Sequence, residues 1–493
     1  MITTPLLDSS GILFLFFYLT SLIGVGLMGR MSKREDSLGD FYLAGRGMGG
    51  FVLFLTLYAT QYSGNTMIGF SGRAYRQGFS ALVTVTFMCA IIGLYFIYAP
   101  KLHRLSKKNQ FITLGDFINY RFNSLHLTSV ISIISIIALG NYILTNLKAI
   151  GYIVEASTGG QVSFVFAIIL LSFIMVVYET LGGMRSVAWT DMIQGILLLV
   201  GVMAIFVIIN NQYGGINFIS SKLKLTHPQF WEPPNWDAKR MWLSTILVVS
   251  IGVSVYPHAI QRIYSAKDSK TLQRSLQIMV FMPFVTTFFM VVVGVVGASQ
   301  IDNLDRINSE QISILLLADI AEKIPQVSWL LVIFIAAAIA AIMSTVDSAL
   351  LAISSMVTQD LYSKINPNLS QKKLLIFGKL ISWLIMLIAV FMAINLPQTI
   401  WQLFQIKLEL LCQIAPAIFL GIHLKSIRTQ SILAGIYLGT IVALIIMIGN
   451  WWGMPIPTKP LGIHAGLWGL VINLVVIFST NYYLSNKNFL VKN

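Results

Sequence analysis

The chain has 493 residues, of which 56% are hydrophobic and 11% charged, and its formal net charge is +14. A soluble domain carries about a quarter charged residues, and a disordered chain is poor in apolar ones, so neither class fits. At about 20 apolar residues per bilayer-spanning helix, the chain holds a dozen or so spans with short connections, and it reads as one membrane domain over 1–493.

In chain order, the apolar runs predict thirteen spans: 10–29, 48–71, 79–100, 126–156, 161–180, 186–209, 241–264, 275–298, 327–357, 374–394, 398–423, 428–449 and 462–484. No basic residue precedes the first run, so 10–29 is expected to be a retained span rather than a cleaved signal peptide. Two hydrophilic connections, 210–240 and 299–326, are longer than the rest. Within the second, Gln311–Lys323 is expected to form a short surface helix.

The basic excess reads as a topology signal and as contact with anionic lipid, not as a nucleic-acid footprint. With alternating spans, 21 of the 33 lysines and arginines fall on the side of Arg30, Lys33, Arg34, Arg46, Lys101–Arg121, Arg185, Arg262–Arg274, Lys364–Lys373, Lys425, Arg428 and the C-terminus. That side is assigned to the cytoplasm, which puts the N-terminus outside and the C-terminus inside. Cys89 and Cys412 lie in apolar runs and give neither a disulfide framework nor a metal spacing. The six histidines are scattered, and there is no nucleophile elbow or phosphate loop. No catalytic residue and no organic cofactor are therefore expected.

Two spans are interrupted. Span 2 (48–71) carries the polar stretch Leu57-Tyr58-Ala59-Thr60-Gln61-Tyr62-Ser63-Gly64-Asn65-Thr66, and span 7 (241–264) carries Ser250-Ile251-Gly252-Val253-Ser254-Val255-Tyr256-Pro257-His258. Polar residues and helix breakers at membrane depth are tolerated where they line a site. The two interruptions are five spans apart, in spans that enter from opposite sides. Two inverted five-helix units, 48–209 and 241–423, are the pattern of a secondary transporter, with 10–29 and 428–493 outside the repeats. In span 9 (327–357), Ala341, Ser344, Thr345 and Ser348 share one helix face and Asp347 lies on its flank. Hydroxyl and carbonyl oxygens are hard ligands suited to an alkali cation, and an intramembrane carboxylate is a functional candidate by default.

The stretch Ala340-Ala341-Ile342-Met343-Ser344-Thr345 resembles the sodium-site segment of the sodium:solute symporter family, which includes bacterial proline- and pantothenate-type members. Ala59–Gly64, Gly182-Gly183 followed by Trp189-Thr190-Asp191, and Tyr256-Pro257-His258 agree with it. The resemblance implies an all-α LeuT-type core of spans 2–6 and 7–11. It also implies a sodium site made of the carbonyls of Ala59, Tyr62 and Ala341 and the hydroxyls of Ser344 and Thr345. In some members an aspartate at the position of Asp191 joins span-9 hydroxyls in a further sodium site. Here the matching set is Asp191, Ser344, Asp347 and Ser348, a candidate second cation site. Two carboxylates at one site repel unless a cation or proton lies between them. Asp347 thus stands for a second sodium, a proton site or the partner of a buried lysine.

Solute contacts are expected from Gln61, Ser63 and Thr66 in span 2, Tyr142 in span 4, Ser254 and Tyr256 in span 7 and Gln405 in span 11. Tyr142 matches a tyrosine implicated in proline symporters, and Gln405 a sugar-contacting glutamine of glucose-type members. Val249 and Val253 stand where proline symporters carry a tryptophan and a tyrosine, which argues against proline itself. Lys148, within span 4, reads either as a cation for a solute carboxylate or as the partner of Glu409. Lys407 and Glu409 cannot face each other at a spacing of two. The sequence thus points to a sodium-coupled symporter that imports a small polar solute, carboxylate- or amino-acid-like, by alternating access. Sodium, the solute and the lipid bilayer are its expected partners, no oligomer is required, and the location is a bacterial cytoplasmic membrane. A sensor on a transporter fold and an integral-membrane enzyme are the alternatives.

Overall fold

The computed structural model describes residues 6–396, 400–449 and 454–490, and the secondary structure of these residues is helical apart from one isolated bridge between Met48 and Ala266. The long helices are α1 (Ser9–Met31), α2 (Gly50–Gln61), α3 (Phe70–Gln77), α4 (Val83–Asn109), α5 (Leu125–Ser157), α6 (Phe164–Gly182), α7 (Met184–Gln212), α8 (Trp236–Ser254), α9 (Pro257–Ser265), α10 (Ser269–Met279), α11 (Phe288–Gln300), α12 (Ile312–Lys323), α13 (Ser328–Met356), α14 (Gln371–Asn395), α15 (Ile400–His423), α16 (Thr429–Ile448) and α17 (Ala465–Leu490). By length and apolarity, 11 of the described helices can cross a membrane, or 12 when α8 and α9, bent by 49°, form one span. The twelve-residue α2 is too short to meet that test alone.

Helix α13 is the axis of the molecule. Every residue from Phe334 to Met356 is buried, and the helix packs against α5 and α7 along most of its length. Its alanine run lets neighbouring backbones approach closely, as packing between helices in lipid requires. The outer helices have the opposite character. Phe16 and Phe17 of α1, Leu387 and Phe391 of α14, and Val475 and Phe478 of α17 are exposed. Such apolar surface is stable facing acyl chains, whereas backbone polar groups must be satisfied within the helices.

Both predicted interruptions are present. After α2 the chain leaves the helix at Tyr62 in an extended conformation (φ −106°, ψ 100°) and resumes with a widened turn at Asn65–Gly69 before α3. Between α8 and α9 the chain breaks at Val255-Tyr256, and Pro257 opens the next helix, where its missing amide costs nothing. The helix expected over 311–323 is α12. It turns Ile312, Leu316, Leu317 and Ile320 inward rather than lying wholly on the surface.

Candidate cation and solute site

The break in α2 is held against the middle of α13. Gly64 permits this contact, because a Cβ there would sit 2.2 Å from Ile342 Cγ1. Directly beside it, Ser344 Oγ donates to Ala59 O at 3.0 Å and to Ala341 O at 3.1 Å, while Thr345 Oγ1 donates to Ala341 O at 2.9 Å. All four residues are buried. Four of the five residues expected at the sodium site are therefore joined in one oxygen cluster. The fifth, Tyr62, is at the break itself, with its ring 4.8 Å from that of Tyr58. Two carbonyls and two hydroxyls without net charge, enclosed between two helices, are a donor set that fits an alkali cation.

The residues of the candidate second site are arranged around a cation that the protein itself carries. Arg262 of α9 is completely buried. Its Nη2 donates to Asp191 Oδ2 at 2.9 Å and also to Ser348 Oγ. Its Nε donates to Thr56 Oγ1 at 3.1 Å and its Nη1 to His258 O at 3.1 Å. Thr56 Oγ1 donates in turn to Asp191 Oδ2. Asp347 makes no hydrogen bond to this pair among the described residues: its Oδ2 accepts from Tyr178 OH of α6. Asp191 Oδ1 and Asp347 Oδ1 have no hydrogen-bond partner among the described residues. Ser348 Oγ donates to Ser344 O at 2.5 Å, which ties this network to the oxygen cluster.

Arg262, which falls within the predicted span 241–264 and is counted above with the basic residues of the cytoplasmic side, is buried inside the protein. α9 continues to Ser265, so Arg262 lies on a helix turn directed at α7. The signal was available in part, since Pro257 at a helix start implies more than one further turn. Thr56, Tyr178 and His258 were likewise not anticipated in these contacts.

Among the expected solute residues, Ser63, Thr66, Tyr142, Ser254 and Tyr256 are buried. The Tyr142 hydroxyl lies near the side chains of Ser63 and Thr345. Its ring packs 5.5 Å from that of Tyr256 and 5.9 Å from that of His258. Gln61 Oε1 accepts from Tyr95 OH at 3.4 Å. Ser254 Oγ donates to Ile251 O within its own helix at 2.8 Å, and Ser254 O accepts from Tyr98 OH. The Gln405 side chain lies outside the described residues.

Lys148 and Lys407, both within apolar spans, make different contacts. Lys148 Nζ donates to Leu396 O at the end of α14. Lys407 Nζ instead sits over the Tyr142 ring, 3.2 Å from its centroid, and 5.6 Å from that of Tyr256. Glu409 is not the partner of Lys148. Its Oε1 lies 3.0 Å from His464 Nδ1 and its Oε2 accepts from Gly466 N, so it fastens α15 to the start of α17.

This arrangement, a broken helix held against a straight one across a buried cluster of oxygen atoms, fits a membrane transporter. The Sodium:solute symporter family matches residues 41–439, and the chain belongs to that family. Its members are transporters, not enzymes, which removes the integral-membrane enzyme from the alternatives. The sodium/pantothenate symporter of Haemophilus influenzae is 27% identical over 396 residues, 79% of this chain and 80% of that protein. Sodium/proline symporter 2 of Staphylococcus saprophyticus is 23% identical over 96% of this chain and 91% of its own length. The solved substrate-bound outward-open state of a Na+-coupled sialic acid symporter superimposes with a TM-score of 0.80 at 20% identity. The superposition covers 96% of this chain and 97% of that one, and it shows a shared fold.

Proposed function

We propose that this protein imports a small polar organic solute, carboxylate- or amino-acid-like, by sodium-coupled symport with alternating access. Thirteen spans, an N-terminus outside and a C-terminus in the cytoplasm belong to this reading. So does a division into inverted repeats at 48–209 and 241–423, with 10–29 and 428–493 outside them. The observation that carries the proposal is the buried oxygen cluster of Ala59, Ala341, Ser344 and Thr345, which joins the break in α2 to α13.

In the cluster the Ser344 and Thr345 hydroxyls donate to the carbonyls of Ala59 and Ala341. A sodium ion held by Ala59, Tyr62, Ala341, Ser344 and Thr345 takes over those carbonyls and turns both hydroxyls into ligands. The ion thereby fixes the unwound part of α2 against α13, and solute bound to Gln61, Ser63 and Thr66 of the same segment meets a preformed surface. A ligand shifts a conformational equilibrium only by its differential affinity for the two states. A bridge between two moving elements provides that difference. Asp191, Ser344, Asp347 and Ser348 remain the candidate second cation site, with the Arg262 guanidinium already between Asp191 and Ser348.

Purified protein in liposomes tests the proposal. An imposed inward sodium gradient should drive accumulation of a labelled solute, found by thermal-shift screening over amino acids, carboxylates, sugars and vitamins in sodium chloride. Accumulation of the same size under a potassium gradient would refute it.

A further inference from the structure

We infer that the protein binds an anionic phosphate group in a basic cavity where α1, α6, α7 and α14 meet. The cavity lies on the side that the basic excess assigns to the cytoplasm, apart from the cation and solute sites. It has a volume of about 210 Å³, and its charged lining is Arg30, Lys33, Glu35, Asp40, Arg185 and Lys379. That is room for several waters, and so for one tetrahedral anion that keeps part of its hydration.

Four cations face two carboxylates, and the carboxylates do not neutralise them. Asp40 is taken by Arg185, whose Nη2 donates to Oδ1 at 2.6 Å and whose Nη1 donates to Oδ2. Lys33 pairs with Asp36. Glu35 is exposed and joins no ion pair among the described residues. Arg30 and Lys379 are left without a carboxylate partner among those residues. Lys379 Nζ lies 5.0 Å from the centroid of the Phe41 ring. A ring face returns only part of the hydration that a half-buried ammonium has lost. The charges of Lys33 and Arg30 also act against that of Lys379, with smaller compensation from Glu179. An anion between Arg30 and Lys379 turns this repulsion into attraction. A phosphate suits the pair, because its oxygens accept both the guanidinium fork and the ammonium.

The backbone favours the same charge. Gly182 and Arg185 of the lining flank the start of α7. The N-cap there is Gly183, at a positive φ of 57°, and no side chain caps the helix. The positive end of this 29-residue helix is therefore left for an outside anion.

A phosphate group has two sources, a lipid headgroup and free phosphate, and the surroundings of the cavity favour the lipid. Leu27 and Met28 of α1 and Ile376 and Leu380 of α14 are exposed. Arg30 follows Leu27 by three residues, and Lys379 stands beside Leu380. The free cations thus sit at the edge of a surface made for acyl chains, as basic pockets for anionic headgroups between membrane helices do. A group bound there joins α1 to α14 across the turn between α6 and α7.

The test uses the full chain, stripped of lipid in a neutral detergent, at constant ionic strength in sodium chloride. Thermal midpoints are recorded against dioctanoyl phosphatidylglycerol, dioctanoyl phosphatidylcholine and inorganic phosphate. Phosphatidylglycerol, inorganic phosphate or both should raise the wild-type midpoint, and phosphatidylcholine should do so more weakly. Each basic residue beside an anionic headgroup is worth a factor of about five. The concentration for half the shift should therefore rise about fivefold in Arg30→Gln and about 25-fold in Arg30→Gln/Lys379→Gln. Phosphate also stabilises proteins generally by exclusion from their surface, so its reading is the difference between wild type and variant. Lys108→Gln/Lys425→Gln removes two exposed cations elsewhere on the same assigned side and should respond as wild type does. Phosphatidylglycerol acting at about tenfold lower concentration than inorganic phosphate identifies the lipid as the source, and the reverse order identifies free phosphate. The proposal is overturned if neither anion raises the midpoint, or if phosphatidylcholine acts as strongly as phosphatidylglycerol. It is also overturned if the Arg30 and Lys379 variants keep the wild-type response, or if the Lys108 and Lys425 variant loses as much as they do. Arg30 is exposed, so Arg30→Gln decides the matter even where the double variant does not fold.

Discussion

Arg262 and Asp191 form an ion pair of 2.9 Å between α9 and α7 with neither side chain exposed. Removing one member of such a pair leaves an uncompensated buried charge and costs about 3–5 kcal/mol. Arg262→Met and Asp191→Asn should therefore each lower the unfolding midpoint strongly. The double variant should recover most of the loss, because no lone charge remains. Thermal unfolding of the four proteins gives this cycle directly. Additive losses would mean that the two side chains act independently.

The oxygen cluster makes a narrower prediction. Thr345→Ala and Ser344→Ala each remove one hydroxyl, worth about 1–3 kcal/mol when a buried partner is left behind. The sodium concentration for half-maximal transport should rise about 5- to 150-fold in each, with little change in the midpoint measured without sodium. Wild-type sodium dependence in both variants would show that the cation binds elsewhere.

Gly64 supplies a test of the contact that positions the cluster. A Cβ there meets Ile342 Cγ1 at 2.2 Å, so Gly64→Ala should separate the α2 break from α13. Overpacking of this kind costs about 1–3 kcal/mol. Sodium affinity should fall with stability, and Ile342→Ala in the same chain should restore part of both. Gly64→Ala with unchanged sodium affinity would disconnect the glycine from the site.

Much of this site was legible in the sequence because its signals are local. The apolar runs gave the helices, Gly64 and Pro257 marked the two breaks, and the spacing of Ala341, Ser344 and Thr345 put their oxygens on one face. What was not legible depends on helix rotation and on partners far along the chain. Arg262 follows an apolar segment, as loop arginines do. Only the partner 71 residues earlier shows that it is internal. Lys148 and Lys407 are both lysines within apolar spans, and nothing local distinguishes them. The turn of each helix sends one amine to Leu396 at the end of α14 and the other over Tyr142.

Outside the membrane-spanning helices, Asp40 gives a pH prediction. Arg185 Nη2 donates to Asp40 Oδ1 at 2.6 Å, and Arg34 N donates to Oδ2 at 3.3 Å. Burial pushes the Asp40 carboxyl up, but Arg185 and the backbone amides outweigh it and hold it below its usual value of 3.8. A carboxylate lowered in the folded state contributes stability above its unfolded value and loses it as pH falls through the folded one. Asp40→Asn should therefore be less stable than wild type at neutral pH, and the difference should close below about pH 4. A difference that stays constant from pH 7 to pH 3 would assign the loss to packing rather than to charge.

Sodium and solute should bind cooperatively, because the proposed ligands of both meet at one segment. Ser344 and Thr345 reach Ala59 and Ala341 on one side of the α2 break, and Tyr142 lies near Ser63 and Thr345 on the other. An ion that fixes the break lowers the ordering cost left for the solute, and the solute does the same for the ion. Linkage requires the two effects to be equal, and coupling energies of this kind are typically about 1–3 kcal/mol. Calorimetric titration of solute in sodium chloride and in potassium chloride should differ by about 5- to 150-fold in affinity. The converse titration of sodium, with and without solute, should give the same factor within error. In Thr345→Ala the factor should shrink toward one, because that variant removes a hydroxyl of the cluster that lies near Tyr142. Equal solute affinity in the two salts would remove the bridge as the coupling device.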